Sequence, residues 1–295
     1  MLDNFGLSRW RLGRGLIEGL GRGPAGTLAE QALQFDRRVA ESGIQVAAQQ
    51  WLQGWINRLD VIGAQHIPSS GGVIFAANHP GMVDTLACLG SVPRPDLRLV
   101  SADRPFMRAL EHTAQRTFFV LDLPGERLTM VRQVGRYLRQ GGAVLIWPAG
   151  KIEPDPAVMP GAKESLQEWS DSLGLFVRLA PQAVVVPLVV SGVVYGPALH
   201  HPLTRLRRSP RDRERLAATL QVIWQCTGRL AQQLNVRIEF GSPLTAAELS
   251  QNGLAANNAA ITREVTRAVE QLLTRLKSEQ KSQLPERAYR LMGAT

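Results

Sequence analysis

The chain has 295 residues, of which 44% are hydrophobic and 20% charged; this composition excludes a disordered protein and suits one large domain, or one domain with a helical annex. Cys88 and Cys226 lie in apolar stretches without metal-ligand spacing, so we expect two core residues in a reducing compartment and no metal site. The net charge of +9 favours anionic partners, which include a membrane surface, an acidic carrier protein and nucleic acid.

Residues 1–58 are predicted to form an N-terminal amphipathic helical segment. One helix is expected to begin at Thr27, Ser42-Gly43 ends it, and a second helix runs over residues 44–58. The second helix carries Trp51 and Trp55, which suit either a membrane–water interface or packing onto the main domain. No secretory signal is visible and no apolar run is long enough to cross a bilayer, so we expect a cytoplasmic protein bound peripherally to a membrane.

From Leu59 onwards, short apolar runs alternate with helical patterns. This alternation predicts an α/β domain over residues 59–280, with a mostly parallel central sheet flanked by helices, followed by a tail at residues 281–295. In such sheets the functional sites lie where strands end. The predicted strands cover residues 73–77, 97–101, 117–121, 143–147, 183–190 and 236–240, and the predicted helices cover 105–110, 126–140, 162–173, 211–234 and 261–277.

A histidine and an aspartate follow the first of these strands, in the segment Asn78-His79-Pro80-Gly81-Met82-Val83-Asp84. A neutral imidazole can take a proton from an alcohol, and a carboxylate on its other nitrogen fixes the tautomer and stabilises the imidazolium. His-x4-Asp also occurs by chance, with the histidine in an ordinary polar loop. The Gly-x-Ser-x-Gly motif of α/β-hydrolases, a P-loop and a dinucleotide fingerprint are all missing from the sequence.

Three later segments stand at predicted strand ends: Phe118-Phe119-Val120-Leu121-Asp122, Ile146-Trp147-Pro148-Ala149-Gly150-Lys151-Ile152, and Val184-Val185-Val186-Pro187-Leu188. Together with His79 and Asp84, and in this order, they resemble the four motifs of the glycerolipid acyltransferases, the family of lysophosphatidic acid acyltransferases. The resemblance extends from about Val61 to Pro243.

The resemblance implies an O-acyltransferase that moves a fatty acyl group from acyl-CoA or acyl-ACP to a hydroxyl of a lipid acceptor, without a cofactor. It implies that His79 acts as general base and that Asp84 orients it. Backbone N–H groups near Gly81 or Gly150 are the expected donors to the tetrahedral oxyanion. The substrate-binding residues that it implies are Asn78, Gly81, Asp122, Arg127, Pro148, Gly150 and Lys151.

The sequence departs from the family pattern where family members bind the phosphate of the acceptor. Leu123 and Ile152 occupy the two arginine positions, and Ala149 replaces a glutamate. Lysine offers a point charge instead of the planar bidentate fork of arginine. Either Lys151 binds the phosphate together with Arg127 or Arg104, or the acceptor carries no phosphate monoester. We favour the second alternative.

Two other functions fit parts of the sequence. The departures just described also fit a catalytically inactive relative that binds lipid or acyl carrier, although His79 and Asp84 are retained. The arginine-rich stretch at residues 205–215 has no interleaved aromatic residues and belongs to no nucleic-acid-binding module, so we do not expect a nucleic-acid partner. For that stretch a solvated loop and a lipid-headgroup contact remain open.

Overall fold

The computed structural model describes residues 14–121, 123–206, 210–230, 233–250 and 257–282. The strands are β1 (Arg58–Ile62), β2 (Val73–Ala77), β3 (Leu97–Ala102), β4 (Thr117–Val120), β5 (Ala143–Ile146), β6 (Val184–Ser191) and β7 (Asn235–Phe240). The helices are α1 (Arg14–Gln53), α2 (Met82–Ser91), α3 (Pro105–Arg108), α4 (Glu111–Ala114), α5 (Pro124–Arg139), α6 (Ser172–Leu179), α7 (Gly196–Leu199), α8 (Pro210–Cys226), α9 (Ala246–Leu249) and α10 (Asn258–Ser282).

Within these residues the strands form one seven-stranded sheet in the order β1-β7-β6-β2-β5-β3-β4. The five neighbouring strands from β6 to β4 run parallel, while β7 is antiparallel to β6 and β1 is parallel to β7. This architecture confirms the predicted α/β class with a mostly parallel sheet. Strand β1 was not predicted, because its side chains are exposed or half-buried at the sheet edge and show no buried apolar run.

Helices cover both faces of the sheet, so its central strands are buried on two sides. Val73, Phe75 and Ala77 of β2 point into one core layer with α1 and α2. Ile74 and Ala76 point into the other, with α5, α6 and α10. A parallel strand between two helical layers needs apolar residues at consecutive positions, which is why β2 was visible in the sequence as a continuous apolar run.

The N-terminal helix is part of this core. Gly43, at φ 83°, breaks α1 as predicted, but the helix begins before Thr27, whose hydroxyl donates to the carbonyl of Gly23 at 3.2 Å. Trp55 is buried, with Nε1 donating to the Gln31 side chain at 3.1 Å, and Trp51 packs beside it with ring centroids 5.7 Å apart. Both tryptophans therefore pack onto the domain.

Two further predictions about helices were wrong. Residues 162–173 form a 3-10 turn at Glu164–Glu168 followed by the start of α6, although Leu166 and Trp169 are buried as a helix would have placed them. Leu128, predicted to face inward, is exposed, because α5 turns Met130, Val134 and Leu138 towards the core.

Of the two cysteines predicted to be core residues, only Cys88 lies fully in the core. Cys88 is buried, Cys226 is half-buried, and both are free thiols. Among the described residues no helix is both long enough and apolar enough to cross a membrane.

Candidate active site

The carboxyl ends of β6, β2 and β5 lie side by side, because these three strands are adjacent and parallel. The chain leaves β2 through Asn78, His79, Pro80 and Gly81 and then enters α2. We refer to this side of the sheet as the carboxyl edge. It is the edge at which sites form in parallel α/β sheets, as predicted.

His79 and Asp84 are in contact at this edge. Nδ1 of His79 lies 2.8 Å from Oδ2 of Asp84. Asp84 is fully buried, whereas the His79 side chain is 25% exposed. A carboxylate next to Nδ1 places the imidazole proton there, which leaves Nε2 as the acceptor. The predicted pair thus has the geometry of a general base with its orienting carboxylate.

The fold of the loop explains why Asp84 is in reach. Asp84 is the third residue of α2, and its Oδ2 also accepts the N–H of Gly81 at 3.1 Å. Its other oxygen, Oδ1, accepts the hydroxyl of Thr85 at 3.1 Å. Carboxylates are favoured in the first turn of a helix, where backbone N–H groups are unpaired. The four residues between His79 and Asp84 form this turn, and they bring the two side chains together.

Glu153, in the loop after β5, holds the backbone of His79. Its Oε2 accepts the His79 N–H at 2.9 Å, and its own N–H donates to the His79 carbonyl at 2.8 Å. The other oxygen, Oε1, lies 3.0 Å from both Ser165 Oγ and Trp169 Nε1. Glu153 is 2% exposed, so a buried carboxylate connects the loop after β5 to the catalytic candidate.

Two more side chains lock the neighbouring loops. The oxygens of Asp155, also after β5, accept the backbone N–H groups of Gly192, Val193 and Val194 at 2.8–2.9 Å. The amide of Asn78 exchanges two hydrogen bonds with the backbone of Val190 in β6, at 2.7 and 3.0 Å. The loops after β2, β5 and β6 are therefore joined by side chains that are themselves buried.

Burial and charge act against each other at these groups. Burial lowers the pKa of His79, but the charge and hydrogen bond of Asp84, together with the charge of Glu153, raise it, and the net pKa lies above the ordinary 6.5. Burial also raises the pKa of Glu153, against the hydrogen bonds from Trp169, Ser165 and His79. The pKa of Asp155 is raised by burial in the same way, against four backbone N–H groups. The site thus concentrates negative charge around one imidazole.

Four of the predicted substrate-binding residues are engaged within the protein. Asn78 is buried with its amide bound to β6, and Pro148 is buried with its carbonyl accepting the Ser170 N–H at 2.9 Å. The N–H of Gly81 is bound to Asp84. The N–H of Gly150, which has φ 63°, is bound to the Trp147 carbonyl at 2.9 Å. The N–H groups of these two glycines are thus hydrogen-bonded within the protein, and the assignment of oxyanion donors near them stays a prediction.

The predicted cations lie on the surface of the same edge. Lys151 is 48% exposed and forms an ion pair with Glu168 of the 3-10 turn. Arg127 lies on the first turn of α5 and donates through Nε to the carbonyl of Leu121 at 2.8 Å. Asp122 lies outside the described residues. Leu123 and Ile152, at the two arginine positions, are 62% and 60% exposed.

Sequence reasoning missed Glu153 and Asp155. Both stand in the segment Glu153-Pro154-Asp155-Pro156, directly after the third motif-like segment and close to the end of a buried strand. The alternation of acidic residues with prolines after a predicted strand could have marked both as candidate site residues. Trp147 was noted only as part of a motif, yet its ring lies 5.1 Å from the His79 ring.

Comparison with known proteins finds a family model that matches part of this chain. A solved structure with a similar chain trace is that of PlsC, the 1-acyl-sn-glycerophosphate (LPA) acyltransferase from Thermotoga maritima; it has 17% sequence identity and a TM-score of 0.45, over 94% of this chain and 86% of the other. A search among curated proteins finds no significant match. The family model named Acyltransferase matches residues 58–191, which run from the start of β1 to the end of β6 and include His79, Asp84 and Glu153. The part of the chain from β1 to β6 is thus similar to the acyltransferase family.

Proposed function

We propose that this protein transfers a fatty acyl group from acyl-CoA or acyl-ACP to a hydroxyl of a lipid acceptor, at a membrane to which it binds peripherally. The observation that supports this most strongly is the contact between His79 and Asp84 at the carboxyl edge, inside the region that matches the Acyltransferase family model. The acyl donor, the acceptor and the roles of the individual residues are all part of the proposal.

In the proposed reaction His79 is the general base. Its Nε2 takes the proton of the acceptor hydroxyl while the acceptor oxygen attacks the thioester carbonyl. Asp84 keeps the Nδ1 proton in place and stabilises the imidazolium. The tetrahedral intermediate collapses to the new ester and expels the donor thiolate, which receives the proton from His79. No covalent enzyme intermediate is needed.

Glu153 and Asn78 are assigned positioning roles in this mechanism. Glu153 fixes the backbone of His79 from both sides, and Asn78 fixes the loop to β6. A general base must stay within hydrogen-bond reach of the proton that it abstracts, so a displacement of about 1 Å is costly. We therefore assign Asn78 to the support of the loop instead of the substrate contact that the sequence implied.

We propose further that the acceptor carries no phosphate monoester. The two arginine positions hold the exposed apolar residues Leu123 and Ile152. The neighbouring cation, Lys151, is paired with Glu168, and the net charge of that pair is zero. Without a bidentate arginine fork, this arrangement offers little that would bind a phosphate more tightly than a neutral hydroxylated headgroup. Acceptors of this kind include hydroxylated lipids, glycolipids and lyso-aminolipids.

This choice of acceptor predicts the outcome of a comparison between lysophosphatidic acid and the monoacylglycerol that lacks its phosphate. With purified protein and acyl-CoA, we expect kcat/KM for the neutral acceptor to equal or exceed that for lysophosphatidic acid. Lys151→Ala should change the ratio of the two values by less than about threefold, because an exposed ion pair is worth only about 0–1 kcal/mol. The measurement is the initial rate of ester formation for each acceptor.

Lys163→Ala is the matched control, since Lys163 is also exposed and paired with a glutamate, Glu270. A strong preference for lysophosphatidic acid that disappears in Lys151→Ala but persists in Lys163→Ala would make Lys151 the phosphate ligand. That result would contradict the proposal about the acceptor while leaving acyl transfer intact.

A further inference from the structure

Large apolar side chains are exposed around the candidate active site. Leu123 and Ile152 are the most exposed of five such residues that we call the apolar rim, at 62% and 60%. The others are Met82, Phe106 and Val158, which are 38–44% exposed. Exposed leucine, isoleucine and phenylalanine are unremarkable when scattered singly, but a group of them on one side of a molecule marks an interaction surface.

The topology places the rim on one side. Met82 follows β2, Phe106 follows β3, Leu123 follows β4, and Ile152 follows β5, each within six residues of the strand end. These four strands are parallel and adjacent, so their carboxyl ends share one edge. Val158 belongs to the same edge, since its Cγ1 lies 3.9 Å from where a Cβ on Gly196, just after β6, would be.

Positive charges are interspersed with the rim. Arg104 stands two residues before Phe106, and Arg127 lies one helical turn after Leu123. Both arginine side chains are exposed, whereas Lys151, beside Ile152, is paired with Glu168 and adds no net charge. Apolar residues that alternate with cations fit a surface with anionic headgroups above an apolar layer, where basic residues add attraction and apolar side chains enter the interface.

We infer that the apolar rim is the surface by which the protein docks on an anionic lipid bilayer, with the carboxyl edge facing the membrane. The inference rests on the proposed function, because a lipid acceptor has to reach the 25% exposed imidazole at this edge. It assigns docking to the strand-end loops and not to the tryptophan-bearing part of α1. Leu28, Phe35 and Trp55 of the N-terminal segment are buried in the domain.

The test is a vesicle partition measurement on the full-length chain. Leu123→Ser/Ile152→Ser removes the two most exposed members of the rim, and neither is buried, so we expect the fold to persist. The vesicles consist of phosphatidylcholine with about 30% phosphatidylglycerol, which supplies an anionic surface. The partition coefficient of the double variant onto them should fall at least about tenfold. Transfer of one Leu or Ile side chain into an apolar phase is worth roughly one to two powers of ten.

Leu33→Ser/Ile62→Ser is the matched control, because these side chains are 47% and 39% exposed. Ile62 ends β1, which points to the opposite edge of the sheet. This control should retain the partition coefficient of the wild type within about twofold. Circular dichroism and thermal unfolding of both double variants verify that the fold is intact.

Three results would overturn the inference. In the first, the wild-type protein fails to bind these vesicles, and in the second, both double variants bind them equally weakly. In the third, Leu123→Ser/Ile152→Ser loses binding to acyl carrier protein while its vesicle binding is unchanged. The last result would make the rim a protein-docking surface. Because partition is scored without turnover, a protein that docks through the rim but transfers no acyl group would refute the proposed function alone.

Discussion

Replacement of His79 by alanine should lower kcat/KM for acyl transfer by about 10²–10⁴, the usual contribution of general-base assistance. Asp84→Asn should lose a large part of the same factor, because an asparagine amide can no longer hold the Nδ1 proton as a carboxylate does. The two effects should not add, since both residues act on one proton transfer. Initial rates with acyl-CoA and monoacylglycerol measure them.

His112→Ala is the control for His79→Ala. His112 lies in α4, just before the start of β4 and therefore at the edge opposite the candidate site. The His112→Ala protein should retain wild-type rates. A folded His79→Ala protein with wild-type turnover would contradict the assignment of the base. A wild-type protein that binds lipid or acyl carrier but turns over no acceptor would support the inactive relative instead.

The pH dependence of kcat/KM follows from the same pair. The base must be neutral to accept a proton, so the rate should rise with pH as His79 loses its proton. Because Asp84 and Glu153 raise the pKa of His79 above 6.5, this rise should be centred above pH 6.5. A profile that falls across this range would contradict the role of His79 as a base.

The sequence was sufficient for the central part of the fold because its parallel strands are buried on both faces. Strands β2, β5 and β6 appear as continuous apolar runs, and the gaps between the predicted strands set the helices. Strand β1 has no such run, and its place is fixed only by pairing with β7. In that pairing Arg58 lies opposite Asn235, which is 177 residues later in the chain. Contacts of that range leave no mark on local periodicity.

The site was predictable only where its residues share one loop. His79 and Asp84 are linked by a helix N-terminus, and their contact follows from spacing and capping. Glu153 contacts His79 across 74 residues, and that contact depends on the loops after β2 and β5 meeting in space. The sequence also left open whether Trp51 and Trp55 face the protein core or a membrane, because amphipathic spacing gives the apolar face of a helix but not what that face contacts.

Glu153→Gln should separate the charge of this residue from its shape, and it is the sharpest test of the positioning role. The amide is nearly isosteric but replaces one acceptor oxygen by a donor. The carboxylate oxygens accept hydrogen bonds from the His79 N–H, from Trp169 Nε1 and from Ser165 Oγ. In the variant the NH₂ group of the glutamine replaces one of these oxygens, so two donors face each other and a hydrogen bond is lost. A lost hydrogen bond to a buried charge costs about 1.5–3 kcal/mol in the free energy of unfolding. Thermal or denaturant unfolding measures it, with the exposed Glu164→Gln as the control.

The pH profile of the Glu153→Gln protein distinguishes positioning of His79 from mere support of the loop. The charge of Glu153 is one of the causes that raise the pKa of His79, so its removal should lower that pKa. The rise of kcat/KM should then move to lower pH, while the rate at its plateau falls because the base is weaker and less well held. Glu164→Gln should leave both the midpoint and the plateau unchanged. Lower stability with an unchanged midpoint would show that Glu153 supports the loop without acting on His79.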